Sequence, residues 1–123
     1  MKTIEIPYYT SHQELHVDEK NLKAVIRAKM HEFKTEKTEA EIVKEAMDNP
    51  IGTPKLEELA KGKHNVVIVT SDHTRAVPSK ITLPLELAAI RKGNPDAEIT
   101  ILIATGLHRP TTEEEQRRMF GDE

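Results

Sequence analysis

The 123-residue chain has no cysteine and no tryptophan. Without cysteine there is no disulfide framework, no thiolate metal site and no cysteine nucleophile. Aromatic residues make up only 3%, so the core has to be aliphatic. No apolar run approaches the ~20 residues that a bilayer-crossing helix needs. No basic-then-apolar leader opens the chain, and a soluble cytoplasmic protein is the expectation. Charge of one sign is also lacking: 18 Lys and Arg stand against 21 Asp and Glu, for a net charge of -3. A nucleic-acid surface needs a basic stripe, so neither nucleic acid nor membrane is an expected partner.

What the sequence does have is concentrated between Asn65 and Pro110. Asn65-Val66-Val67-Ile68-Val69-Thr70 is apolar and β-branched, and it runs into Ser71-Asp72-His73-Thr74-Arg75. Ile99-Thr100-Ile101-Leu102-Ile103-Ala104 repeats the pattern and runs into Thr105-Gly106-Leu107-His108-Arg109-Pro110. Such runs suit buried parallel strands. A helix expected from Pro78-Ser79 to Arg91-Lys92 joins them, with Ile81, Leu85, Ala88 and Ala89 as its core face and Gly93 at its C-cap. Pro84 either lies in the first turn of a later-starting helix or kinks an earlier one.

The remaining elements follow from punctuation. Thr3–Ile6 and Glu14–Val17 alternate around Pro7 and a turn, which predicts an antiparallel hairpin. Residues 21 to 29 alternate again and suggest a third strand, although Ala and Lys also suit a helix. Thr38 and Glu41 have capping-box spacing before a helix that Asn49-Pro50 stops. Thr53-Pro54 starts a shorter helix, which Gly62 ends. Thr112 and Glu115 form a second capping box before a helix to about Met119. The predicted fold is α/β: a mixed sheet with an N-terminal antiparallel hairpin and a parallel βαβ unit flanked by helices. Two buried strands are few for a parallel sheet, so a truncated part of a larger domain is expected.

A strand–helix–strand unit is right-handed and parallel, so both polar loops fall at one sheet edge. Ligands of open α/β folds bind there. Each loop leads into a helix N-terminus, which favours an anion. Arg75 is suited to a carboxylate or phosphate, or equally to a salt bridge with Asp72. Asp72 could hold a histidine or a ribose hydroxyl, or cap the next segment. His108 is suited to acid–base work, or to a plain backbone hydrogen bond. His73 is a weaker candidate, because loop residues alternate in direction. His12, His16, His31 and His64 lack metal-site spacing, and no metal ligand is assigned. Glu113–Glu115 reads as the acidic first turn of a helix.

Taken together, Thr70-Ser71-Asp72-His73-Thr74-Arg75 with Pro78-Ser79-Lys80, and Ile101–Pro110 with Thr112-Glu113-Glu114-Glu115, resemble the N-terminal signature of the nickel-dependent lactate racemase family. The Asn49-Pro50-Ile51-Gly52 turn fits as well. The resemblance implies that residues 1–123 are part of an N-terminal α/β domain that forms a cleft with a C-terminal domain absent from this chain. It implies a nickel-pincer nucleotide in the cleft and racemisation of a 2-hydroxy acid such as lactate. His108 would be the catalytic proton donor and acceptor. Asp72, His73, Thr74 and Arg75 would be the cofactor-contacting loop, and Arg75 would also hold substrate charge. The family's second catalytic His, its tethering Lys and its nickel-ligating His lie beyond this sequence, so the chain by itself is expected to be inactive. The alternative is a non-catalytic anion- or nucleotide-binding α/β module in which His108 is idle. A downstream Lys and His in the gene would discriminate against that alternative.

Overall fold

The computed structural model describes residues 1–122, apart from the side chain of His31. It divides into two compact units, Met1–Thr35 and Glu36–Glu123.

In the first unit β1 (Lys2–Tyr8) and β2 (Ser11–Val17) pair antiparallel, with Lys2 opposite Val17 and Tyr8 opposite Ser11. The register leaves a two-residue turn at Tyr9-Thr10, and Tyr9 takes a positive φ of 52°. Two-residue hairpin turns that match strand twist require this left-handed backbone. Thr3 and His16 face each other and hydrogen-bond at 3.0 Å. The expected third strand at 21–29 does not form. Asp18 caps a 3-10 turn at Glu19–Asn21, and a second 3-10 turn spans Lys29–Glu32. Val25 to Ala28 run beside β1 across a groove that Pro7 also lines. The alternation is real, but a strand also needs ladder hydrogen bonds, and Pro7 has no N–H to give.

The second unit holds α1 (Glu39–Asp48), α2 (Leu56–Leu59), β3 (Asn65–Ser71), α3 (Ser79–Gly93), β4 (Glu98–Ala104) and α4 (Glu113–Phe120). β3 and β4 pair parallel, with Asn65 opposite Glu98 and Ser71 opposite Ala104. The α/β class therefore holds, with the antiparallel and parallel pairs in separate two-stranded sheets among the described residues rather than in one mixed sheet. Both predicted capping boxes are present, Thr38 with Glu41 and Thr112 with Glu115. The short helix α2 starts two residues later than Pro54 suggested.

Alternation along the strands sets the core. Val66, Ile68 and Ile99 turn toward α2 and α3 and pack against Ala60, Ile90 and Ala97, with Ile90 only 1% exposed. Val67, Val69 and Leu102 remain exposed. α3 begins at Ser79, so Pro84 stands in its interior and leaves the Lys80 carbonyl without a helical N–H partner. The buried residues of α3 are Ser79, Leu83 and Ile90, not Ala88, which is exposed. Leu83 and Ile90 are seven apart, two turns along one stripe. Gly93 ends the helix for a packing reason: a Cβ there would lie 1.9 Å from the Glu57 carbonyl oxygen. Asn94 follows as C-cap, and its amide donates to the carbonyls of Ala60 and Lys63. These ties fix α2, α3 and the starts of both strands, so the two strand C-termini emerge side by side.

Candidate functional site

The two polar loops leave adjacent strand ends, Ser71 and Ala104 being paired in the register. Asp72 is the first residue past β3 and is 2% exposed. Burial of a carboxylate demands partners. Its Oδ1 accepts from the Thr74 amide at 3.0 Å and from the Thr74 hydroxyl at 2.6 Å. Its Oδ2 lies 2.6 Å from His108 Nδ1. The Thr74 hydroxyl is also 3.5 Å from that nitrogen. The Thr74 hydroxyl chiefly, with the His108 ring and the Thr74 amide, holds the Asp72 carboxyl well below the usual carboxylate range, against the opposing effect of burial. Asp72 is therefore ionised, and His108 carries a proton on Nδ1 to donate to it.

The His108 loop presents the ring outward. Gly106 takes a φ of 57°, and the His108 amide closes the turn on the Thr105 carbonyl at 2.9 Å. The His108 side chain remains 46% exposed, and Nε2 has no hydrogen-bond partner among the described residues. A neutral ring with a proton on Nδ1 has its lone pair on Nε2. That nitrogen can take a proton from a bound hydroxyl and return it.

The neighbouring residues are used differently. His73 engages the start of α4 instead, with Nδ1 3.4 Å from the Thr111 hydroxyl and 3.9 Å from Glu115, and its side chain is 13% exposed. Arg109 grips Glu115 with two bonds of 2.9 and 2.6 Å. Glu115 also accepts from the Thr112 amide and hydroxyl. Arg109 first, then the Thr112 amide, holds the Glu115 carboxyl well below its ordinary range. Arg75 is exposed, and its side chain has no ion pair among the described residues; only its amide bonds, to the Asp72 carbonyl at 3.1 Å. The Arg75–Asp72 salt bridge, the plain alternative for this pair, does not form.

Of the residues singled out in the sequence, Asp72, Thr74 and His108 thus form one cluster. Arg75 is free beside it, and His73 is tied elsewhere. Thr111 carries no signal in the sequence. Glu115 reads in sequence as helix-end charge, and only the fold brings Arg109 and His73 to it.

Fold and site together define a class: an α/β domain that presents a carboxylate-oriented histidine and a free guanidinium at the C-terminal edge of a parallel strand pair. Comparison with known proteins narrows this. The sequence profile of the lactate racemase N-terminal domain matches residues 8–123, and the chain belongs to that family. It is 50% identical over its whole length to a lactate racemase of Thermoanaerobacterium thermosaccharolyticum and 44% identical to one of Lactiplantibacillus plantarum. It spans 29% of the length of each of these relatives. The structure of the lactate racemase apoprotein from Thermoanaerobacterium thermosaccharolyticum superposes with a TM-score of 0.84 at 50% identity, covering 98% of this chain and 27% of that one. Among the described residues no helix is long and apolar enough to cross a membrane.

Proposed function

We propose that this chain supplies one half of the active site of a lactate or 2-hydroxyacid racemase, with His108 as its acid–base group. The observation that carries this is the Asp72–His108 pair at 2.6 Å with Nε2 left exposed. The membership in the lactate racemase family supports it. The remaining length of the relatives leaves room for the rest of this domain and for a second domain that would close the cleft.

Racemisation inverts the α-carbon, so its hydrogen has to leave and return on either face while the hydroxyl loses and regains a proton. His108 Nε2 takes the hydroxyl proton as the α-hydrogen departs, which leaves the ring as an imidazolium. Asp72 stabilises that cation and fixes the ring. The proton then returns to the oxygen as the hydrogen returns to carbon. Arg75 suits the substrate carboxylate because its fork is charged and unpaired among the described residues.

The residues present fit the organic part of a nickel-pincer nucleotide better than its metal. Thr74 and Arg75 are exposed on the loop where such a ligand would lie, whereas no group of three His, Asp or Glu side chains able to hold a metal ion occurs among the described residues. We therefore assign the 72–75 loop to the nucleotide. The chemistry such a group supplies when bound is reversible acceptance of a hydride.

The test is His108→Ala in the intact protein, assayed for interconversion of D- and L-lactate. A fall of about 10²–10⁴-fold in kcat is expected from loss of a general base. Turnover equal to the parent's would favour a binding module with His108 idle.

A further inference from the structure

The Asp72–His108 pair has a third member, and its proton is already committed. The Thr74 hydroxyl donates to Asp72 Oδ1 at 2.6 Å, and the same hydroxyl oxygen stands 3.5 Å from His108 Nδ1. A hydroxyl has a single proton and two lone pairs. With the proton aimed at the carboxylate, only a lone pair is left for Nδ1. The ionised Asp72 Oδ2, 2.6 Å from that nitrogen, is an acceptor as well. Nδ1 is thus met by two acceptors, and a ring with its proton there is the tautomer that fits. Of Asp72 and Thr74, only Thr74 has a side chain able to donate to a bare Nδ1, and it spends that proton elsewhere.

The same bond fixes the carboxylate. Pairing of β3 with β4 sets the backbone up to Ser71, and Asp72 follows at once. The rotation of an aspartate carboxylate is intrinsically broad, so its plane is set by its partners. Oδ1 accepts from the Thr74 amide at 3.0 Å and from the Thr74 hydroxyl at 2.6 Å, and from no other group among the described residues. The amide bond is the turn that an aspartate makes with the backbone two residues on, and it survives substitution of the side chain. The hydroxyl bond is the shorter of the two and is charge-assisted. Asp72 is 2% exposed, so little water reaches it to replace a lost donor. Without the hydroxyl the plane can swing, and Oδ2 is no longer held at Nδ1.

We propose that Thr74 is a positioning residue for proton transfer: its hydroxyl locks the Asp72 carboxylate, withholds its own proton from His108 Nδ1, and so keeps the lone pair of the ring on Nε2. This role rests on the reading of His108 as the acid–base group and adds to it a residue that acts only through Asp72 and the ring. Thr74 also lies in the loop assigned to the nucleotide, so the test separates action through Asp72 from direct contact with a bound molecule.

The experiment compares Thr74→Val, Thr74→Ser, Asp72→Asn and the double variant Asp72→Asn/Thr74→Val with the parent, in the intact protein, for interconversion of D- and L-lactate. Thr74 is exposed, so Val, which has its shape, leaves the fold in place, and Thr74→Ala repeats the test with a smaller side chain. Thr74→Val is expected to lower kcat about tenfold or more, the worth of one charge-assisted hydrogen bond, with KM little changed. Thr74→Ser keeps the hydroxyl and stays near the parent. In the Asp72→Asn background Thr74→Val costs nothing further, because a residue that acts through Asp72 has nothing left to orient. Nitrogen-15 spectra of the neutral His108 ring, assigned with His108→Gln, should show the Nδ1–H form in the parent and a mixture of tautomers in Thr74→Val. Parental kcat or an unchanged ring spectrum in Thr74→Val overturns the proposal. Equal losses in Thr74→Val and Thr74→Ser, or a further loss in the double variant, overturn it too, the first pointing to packing of the methyl group and the second to direct contact with substrate or nucleotide. His108→Ala, measured alongside, keeps the two readings apart: if it loses activity while Thr74→Val does not, only the role of Thr74 falls, and if it retains parental turnover, the acid–base reading itself falls.

Discussion

Two histidines sit on the two loops, and each has a carboxylate for a neighbour, but the pairs are built for different ends. His108 meets Asp72 at 2.6 Å and keeps nearly half of its side chain exposed. His73 stands 3.9 Å from Glu115, touches Thr111 and is largely covered. In the first pair the carboxylate is buried and the imidazole is outside, so the pair orients one nitrogen and offers the other. In the second the carboxylate is spent on Arg109 and Thr112, and His73 only leans on it. A nearby carboxylate alone does not mark a catalytic histidine. The marks are a short bond to one ring nitrogen and open access to the other.

The sharpest way to break the first pair without removing the ring is Asp72→Asn. An amide can donate to Nδ1, which moves the ring proton to Nε2 and abolishes the base. In the intact protein kcat for lactate interconversion is expected to fall by about 10²–10⁴-fold, with Km little changed. Parental kcat would mean that Asp72 does not set the tautomer.

Acid separates the pairs by a different handle. Asp72 and Glu115 both have folded values below their ordinary 3.8 and 4.5. A depressed carboxylate contributes stability above its unfolded value and loses it as the pH falls through the window below. Thermal midpoints should therefore be flat with respect to these two groups above about pH 5 and decline below it. The Glu115 contribution starts to fade first. Asp72→Asn and Glu115→Gln should each flatten the acid limb, as read by calorimetry from pH 7 down to 3. An unchanged limb in both variants would show that neither carboxylate is held as described.

How much of this was legible in the sequence depends on range. β3, β4 and both capping boxes were legible because apolar runs and Thr-x-x-Glu spacing act locally. The shared loop edge was legible because βαβ handedness is nearly fixed. The strand expected at 21–29 failed because alternation cannot supply a partner edge. The buried stripe of α3 was misplaced because Pro84 suggested two starting points, and only the structure selects Ser79. The Asp72–His108 contact spans 36 residues, and the Arg109–Glu115 grip depends on where α4 docks. Neither distance is written in local pattern.

Thr112→Ala tests the anchor of the second pair. The two hydroxyl bonds at the cap of α4 are lost, and Glu115 keeps Arg109 and the backbone amide of residue 112. The expected cost is about 1 kcal/mol, or roughly 4–8 °C in the midpoint of a domain of this size. Activity should follow stability and not drop at temperatures where the variant is folded. A selective loss of kcat at such a temperature would tie α4 to the chemistry.

The smallest effect is the most discriminating for the comparison itself. His73→Gln keeps a side chain that can reach the Thr111 hydroxyl but cannot titrate near neutrality. If His73 is only a tie between its loop and the start of α4, the cost is that of one long hydrogen bond, about 0.5–1 kcal/mol. The pH profile of kcat/KM should then overlay that of the parent. If His73 shared the proton work, the profile would lose a limb and kcat would fall by orders of magnitude, as expected for His108. The two histidines differ in access more than in chemistry: the side chain of His73 is 13% exposed and that of His108 is 46% exposed.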